Sequence, residues 1–376
     1  MSEKYRAAAI GRTGGGEYGH LLEMAYKDMP NIEFVAVADH DEEGRKAAGQ
    51  RTGAQNLYAD YREMLEKENL DLVSVCPRII DCHADMVIAC AEAGVKGIFC
   101  EKPLAPTLRE ADAMLEACQR NSTKMAVAHR RANPYEQYGK KLVDEGEIGQ
   151  VQVLRGHGKA DRRAGALDLT VLGTHMMDSM RYFAGADVVW AHGHVTQDGR
   201  EVGLEDIREG DEGVGLLAGN GVAAYYVFDN GLTAHYESYH GYTGGGYNSR
   251  WFGFEIHGTK GIIALRNSPN GEMYIYRKGL WIPDEDYARW ERVLLDEWEK
   301  YPANERTHQS NQIIVRELIE AIEQDREVVA CSSGQDARAA LEMIMAVHES
   351  QRLQTRVSFP LQNRDNPYEV WRRERG

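Results

Sequence analysis

The sequence is first defined by what it lacks. None of its six cysteines (Cys76, Cys82, Cys90, Cys100, Cys118 and Cys331) forms a CxxC pair, and five of them fall in one third of the chain. That pattern reads as buried, reduced thiols of a cytoplasmic protein. No apolar run approaches the roughly 20 residues that span a bilayer, so no membrane partner is expected. Basic residues are in deficit, 44 Lys and Arg against 59 Asp and Glu, and the net charge of −15 would repel a nucleic-acid backbone. The opening "MSEKYRAAAIG" has a four-residue apolar core before a glycine-rich turn, so no signal peptide is expected. Repeats, low-complexity segments and long linkers are also missing.

What is present suggests two domains, because 376 residues are too many for one simple core. In the first third, "YRAAAIG", "IEFVAVADHD", "LDLVSVCP", "VKGIFCEKP" and "KMAVAHR" read as strands. "YGHLLEMAYKDM", "YADYREMLEKE" and "HADMVIACAEAG" read as helices between them. This alternation predicts a doubly wound parallel sheet, whose ligands sit beyond the carboxyl ends of the strands.

The first such end is "GRTGGGEYGH", where Gly14, Gly16 and Gly19 match G-x-G-x-x-G. Small residues let the backbone approach a pyrophosphate, and a helix N-terminus behind them would offer free N–H groups. Gly11, Arg12 and Thr13 lengthen the turn, so Gly11 is a candidate for its tight corner. Asp39 ends the second strand and is placed to accept the hydroxyls of an adenosine ribose. With Asp41 close by, NAD is expected over NADP, and Arg12 is the one residue that speaks for a 2′-phosphate.

"DLTVLGTHMMD", Asp168 to Asp178, puts Asp168, His175 and Asp178 on one face if the segment is a single helix at about 100° per residue. A metal site is not expected there, since no third or fourth ligand stands at a recognised spacing.

"CEKPLAPT", with Glu101-Lys102-Pro103, makes the reading specific. Together with the glycine turn, "GTHMMD", "EGEIGQV", "HGTKGII" and "SSGQDARAALEMIMAVHES", it resembles the glucose–fructose oxidoreductase/inositol dehydrogenase (Gfo/Idh/MocA) family over nearly the whole chain. The resemblance implies an α/β protein. An NAD-binding Rossmann domain is expected over 1–130, and over 131–376 an α/β substrate domain with a large, open, mostly antiparallel sheet. The exposed face of such a sheet often forms an oligomer interface, so a homodimer or homotetramer is expected. "DNG" within 229–231 fits a hairpin of that sheet.

The resemblance also implies NAD-dependent oxidation of a secondary hydroxyl on a sugar, polyol or sugar derivative. Hydride leaves carbon while a base takes the hydroxyl proton, a role suited to histidine or a desolvated lysine. Lys102 matches the lysine that the family sets against the reacting hydroxyl, and Pro103 keeps it extended. His175 matches the family's D-x-x-x-H histidine. The family's aspartate is replaced by Val171, leaving Asp168 as the substitute catalytic carboxylate. Pro77, His83 and Glu101 are expected to join Gly11, Arg12, Thr13, Gly14, Gly16, Gly19 and Asp39 around the cofactor. Arg131, Arg162, Arg163, Asp178 and Tyr239 are expected around the carbohydrate, with Arg130, Tyr135 and Lys159 as further candidates. The basic stretch "GKADRRAG" suggests an anionic sugar held by a guanidinium. Tyr242, Tyr247, Arg250 and Trp251 follow Tyr239 in a glycine-rich stretch that suggests a flap. Two alternatives stand beside dehydrogenation. One is NAD-dependent, redox-neutral glycoside cleavage by oxidation, elimination, water addition and re-reduction; the other is non-catalytic NAD sensing.

Overall fold

Strand β1 (Tyr5–Ile10) is an alanine run with Ala7, Ala8 and Ala9 at 0% exposure, as a central parallel strand covered on both faces requires. The computed structural model describes residues 4–240, 252–266, 271–278 and 289–375. Around β1 lie β2 (Ile32–Ala38), β3 (Asn56–Tyr58), β4 (Leu72–Val75), β5 (Gly97–Cys100) and β6 (Lys124–Val127), all paired in parallel. Helices α1 (Glu42–Thr52), α2 (Tyr61–Lys67), α3 (His83–Glu92) and α4 (Leu108–Arg120) connect them. The doubly wound sheet read from the sequence is therefore present.

The expected helix over "YGHLLEMAYKDM" is not: only a 3₁₀ turn, Leu22–Met24, forms. Gly19, Leu21 and Asp28 have positive φ, which a right-handed helix cannot contain. The carbonyls such a helix would use are taken from elsewhere. Asn311 Nδ2 donates to the His20 and Leu21 oxygens, and Gln312 Nε2 donates to that of Lys27 at 2.6 Å.

The chain continues through α5 (Pro134–Asp144), β7 (Val151–His157), α6 (Ala166–Val171), α7 (Gly173–Ala184) and β8 (Val188–Gln197). Three two-residue strands follow, β9 (Arg200–Glu201), β10 (Arg208–Glu209) and β11 (Leu216–Leu217). Then come β12 (Gly221–Phe228), β13 (Thr233–Tyr239), β14 (Gly253–Gly258), β15 (Ile262–Arg266), β16 (Glu272–Tyr276), β17 (Trp290–Val293) and α8 (Asp296–Glu299). The remaining elements are α9 (Arg306–Glu323), β18 (Ser332–Ser333), α10 (Gly334–Leu353), β19 (Val357–Ser358) and α11 (Pro367–Arg375).

Two units result. The first holds 1–132, 212–214 and 304–338; the second holds 133–211, 215–303 and 339–376. A single cut between 130 and 131 does not describe this division, because the chain returns to the first unit. The reason lies in α9, whose Ile314, Val315, Leu318 and Ile319 are buried with Ala7, Leu72, Phe99 and Ala126. Gly97 permits the approach, since a Cβ there would lie 2.8 Å from Ile322 and 3.2 Å from Leu318. β18 then adds an antiparallel strand beside β6.

In the second unit the strand order β17-β16-β15-β14-β7-β13-β12-β8-β19 forms a large, mostly antiparallel sheet, with β7 and β13 its parallel pair. One face is apolar: Phe254 stacks on Phe183 of α7, and a Cβ on Gly156 would lie 3.0 Å from Met176. The opposite face carries Trp190, Tyr225 and His235, whose rings follow one another at 5.4 and 5.0 Å.

Candidate functional site

The carboxyl ends of β1 and β2 shape a cavity of about 410 Å³ within the first unit, lined by Ile10, Gly11, Arg12, Asp39, His40, Tyr61, Arg62 and Met86 among others. Apolar walls with carboxylates at one edge suit an adenosine. Gly11 is glycine because the Tyr18 ring packs on it; a Cβ would come within 2.2 Å of that ring. Gly16, at φ 100, meets the backbone nitrogens of Arg78 and Ile79 so closely that a Cβ would lie 2.5 and 2.4 Å from them. The cradle is thus glycine backbone locked against the loop after β4. The helix N-terminus expected behind it is absent, so no helix dipole acts there.

Asp39 is sealed by this turn. Its Oδ2 accepts from the Thr13 hydroxyl at 2.8 Å and the Thr13 N–H at 3.1 Å, and its Oδ1 accepts from the Asp41 N–H at 3.0 Å. Asp41 itself caps α1 by accepting from Gly44 N–H at 2.7 Å. Arg12, the candidate 2′-phosphate partner, is paired with Asp81 at 2.5 Å.

The Glu101–Lys102 step ends β5 in the same unit. Glu101 is 0% exposed, so it does not present its carboxylate to a ligand as expected. Its Oε2 accepts from the Lys102 N–H at 2.6 Å, and its Oε1 is paired with His20 Nδ1. Burial would push this carboxyl up, but the His20 ring and the Lys102 charge and N–H outweigh it and hold it at about 2. Because that value is below the ordinary 4.5, the ionised Glu101 carboxylate adds stability above pH 4.5 that is lost as pH falls toward 2. The expected result is a melting temperature that drops through this window, with that component gone in Glu101→Gln. Calorimetry between pH 2 and pH 6 measures it.

His83 also differs from its expected place beside a nicotinamide. It is 0% exposed, with Nε2 2.7 Å from the Pro77 carbonyl and Nδ1 3.1 Å from those of Pro103 and Leu104. Its ring thus lies between the loop after β4 and the loop that carries Lys102. Pro77 takes part through its carbonyl oxygen. Lys102 is itself only 7% exposed.

Arg131 is buried in an ion pair with Asp336 at 3.0 Å, a structural tie within the first unit rather than an open anion clamp.

In the second unit the presumed single helix is two. Leu172, at φ −120 and ψ −37, separates α6 from α7, so Asp168 and His175 do not share a continuous helical face. Asp168 is 0% exposed. Its Oδ2 accepts from the Ala160 N–H at 2.8 Å and the Ser238 hydroxyl at 2.6 Å. Burial pushes its carboxyl up, the Ser238 and Ala160 hydrogen bonds oppose this, and the Asp161 charge adds to it. This environment makes Asp168 a tie between loop, helix and sheet instead of a carboxylate open to substrate. Asp178 is also 0% exposed, and Val171 is 1% exposed. His175 is half-buried in α7.

Within the basic stretch one carboxylate engages two of the three cations. Both Asp161 oxygens take the Arg163 guanidinium, at 3.1 and 2.7 Å, and Lys159 lies 3.5 Å from the same carboxylate. Burial opposes this carboxyl's charge, yet the Arg163 bonds hold it at about 2. Arg162 remains exposed. Tyr239 ends β13 with His235 and Glu237, on the face opposite Tyr236 and Ser238, away from α6 and α7. Tyr242, Tyr247, Arg250 and Trp251, with the glycine-rich flap, lie outside the described residues.

Sequence reading missed His20, Ser238 and α9. His20 directly follows Gly19, which was its one available signal. Among the described residues no group of three or more His, Cys, Asp or Glu could hold a metal, and no helix is long and apolar enough to cross a membrane.

Residues 6–129 match the oxidoreductase family with the NAD-binding Rossmann fold, and residues 140–359 match the C-terminal α/β domain of the same family. The levoglucosan dehydrogenase of Pseudarthrobacter phenanthrenivorans is 29% identical over 71% of this chain and 75% of that protein. The myo-inositol 2-dehydrogenase of Thermotoga maritima is 31% identical over 69% of this chain and 75% of its own. Among solved structures, a levoglucosan dehydrogenase complex with NADH and levoglucosan superposes with a TM-score of 0.74 at 22% identity, covering 96% of this chain and 100% of that one.

Proposed function

Because this chain belongs to the Gfo/Idh/MocA family of NAD(P)-dependent oxidoreductases, we propose that it oxidises a secondary hydroxyl of a sugar, polyol or sugar derivative, with NAD as its cofactor. The observation that carries this reading is the setting of Lys102. Its backbone is held by Glu101, its loop packs against the buried His83 ring, and its side chain is largely removed from water. General-base chemistry needs an amine in a fixed, dry place. The levoglucosan and inositol dehydrogenases among the relatives support the substrate class.

NAD, when bound, supplies the hydride acceptor. The glycine turn with Gly14, Gly16 and Gly19 cradles its phosphates, and the cavity beside Asp39 takes its adenosine. Lys102 accepts the hydroxyl proton, and His175 is the second group assigned to proton handling. Asp39 with Asp41 disfavours a 2′-phosphate, and Arg12 is already paired with Asp81. The expected kcat/KM for NAD therefore exceeds that for NADP by at least about tenfold, one step of 1.4 kcal/mol. Initial rates with both cofactors check it, and a preference for NADP would sink the assignment.

A screen of polyols, anhydrosugars, uronates, sugar phosphates and glycosides, following NADH at 340 nm, tests the reaction itself. One observation favours a second reading: apolar, buried Val171 stands where the family has its catalytic aspartate. Redox-neutral cleavage of glycosides would release an aryl leaving group without net NADH. Turnover of either kind excludes a non-catalytic NAD sensor. The aromatic sheet face of Trp190, Tyr225 and His235 is the surface on which a homodimer or homotetramer is expected to assemble; light scattering reads the mass.

A further inference from the structure

His20 stands outside the residues that the glycine pattern and the Glu101-Lys102-Pro103 signature single out. It follows Gly19, the last glycine of the turn, and its Nδ1 is paired with the Oε1 of Glu101. Glu101 is wholly buried, and its other oxygen holds the Lys102 N–H at 2.6 Å. The turn is fitted to this carboxylate, since a Cβ on Gly19 would lie 2.8 Å from Glu101 Oε1 and 2.6 Å from the Cys76 carbonyl. The His20 backbone is fixed as well, its carbonyl accepting from Asn311 Nδ2 at 2.9 Å. The His20 side chain is 49% exposed, whereas that of Glu101 is 0% exposed.

We propose that His20 is a positioning residue for Lys102, acting through Glu101. A buried carboxylate needs partners on each side. With His20 on one oxygen, Glu101 is held to one rotamer, and its second oxygen sets the backbone from which the Lys102 side chain projects. Without His20 the carboxylate loses its outer donor and draws on the Lys102 ammonium instead. That pull misplaces the amine and favours its protonated form. The same link ties the cofactor turn to the catalytic lysine, so that the backbone closing on a pyrophosphate and the base are one connected piece. This inference rests on the reading of Lys102 as the base.

The test compares His20→Leu, His20→Asn and Lys102→Met. Asn places an amide donor near the position of Nδ1, keeping the bond to Glu101 while deleting the rest of the ring. The first readout is the split between kcat and NADH affinity. The second uses no turnover: acetylation of Lys102 by acetic anhydride as a function of pH, followed by peptide mass spectrometry. In His20→Leu, kcat is expected to fall roughly 10- to 100-fold, with NADH affinity within about threefold and the acetylation midpoint moved to higher pH. His20→Asn is expected to return kcat to within about threefold of the parent, on the reasoning that one neutral donor suffices. Should His20→Leu not fold, His20→Asn decides alone, because a 10-fold or larger loss there with intact NADH binding overturns the proposal. That result would mean the second ring nitrogen is itself needed. An unmoved acetylation midpoint in His20→Leu also overturns it. Parental turnover by Lys102→Met would instead overturn the assignment of Lys102, and the acetylation curve would still report whether His20 governs that amine.

Discussion

Lys102→Met is expected to lower kcat by about 10³-fold while NADH affinity stays within a few-fold. Methionine keeps most of the length and apolar stem and deletes the one atom that accepts a proton. The surroundings favour a clean comparison. Glu101 accepts from the backbone N–H and the buried His83 ring lies against the Pro103 and Leu104 carbonyls, so the loop has neighbours that do not involve the lysine side chain. Glu101 would lose the nearby positive charge, and that cost falls on stability more than on cofactor binding. Steady-state kinetics on a substrate found by the screen, with NADH fluorescence titration beside it, give the two numbers. His175→Asn in parallel is expected to cost less, on the order of 10- to 100-fold, if His175 assists a base it does not replace. A Lys102→Met enzyme within tenfold of the parent would move the base elsewhere.

Local pattern carried much of the fold. β1, β2, β4, β5 and β6 are short apolar runs ended by glycine, proline or charge, and each lies where its run predicted. What the pattern could not carry is whatever depends on distant partners. The segment after the glycine turn has helical composition, yet Asn311 and Gln312, nearly three hundred residues on, take its carbonyls. α9 joins the first unit because Gly97 leaves room for Leu318 and Ile322, a fit that sequence spacing does not encode. The glycine turn and the Glu101-Lys102-Pro103 step were legible because their chemistry is local. His20 was not, because its meaning comes from Glu101, 81 residues away. The segment around Asp168 was half legible. Its two parts are helical, but the break at Leu172 goes with Gly173 lying under Tyr236, where a Cβ would come within 3.0 Å of the phenol oxygen.

Asp168 is where stability and catalysis separate most sharply. Asp168→Ala is expected to destabilise the second unit by about 2–4 kcal/mol, because it strands two buried donors, the Ala160 N–H and the Ser238 hydroxyl. For a unit of this size that is a fall of roughly 5–15 °C in Tm. Little room exists for a compensating shift: a Cβ on Gly158 would already lie 2.3 Å from Asp168 Oδ2 and 2.6 Å from Ser238. Asp168→Asn keeps an acceptor for both donors and should hold most of the stability. The two also differ in their pH dependence. Burial raises the Asp168 carboxyl above its ordinary 3.8, so the native state favours the proton. The contribution of this group is then greatest below pH 3.8 and declines as pH rises through the raised value. Asn removes that decline. Thermal melts of parent, Asp168→Asn and Asp168→Ala across pH 3 to pH 8, with kcat measured well below each Tm, decide its role. If Asp168→Asn melts with the parent and yet loses about 10³-fold in kcat, the carboxylate takes part in proton transfer after all. If it retains kcat within tenfold, Asp168 is a buried tie, and the family's missing acid has no substitute on α6.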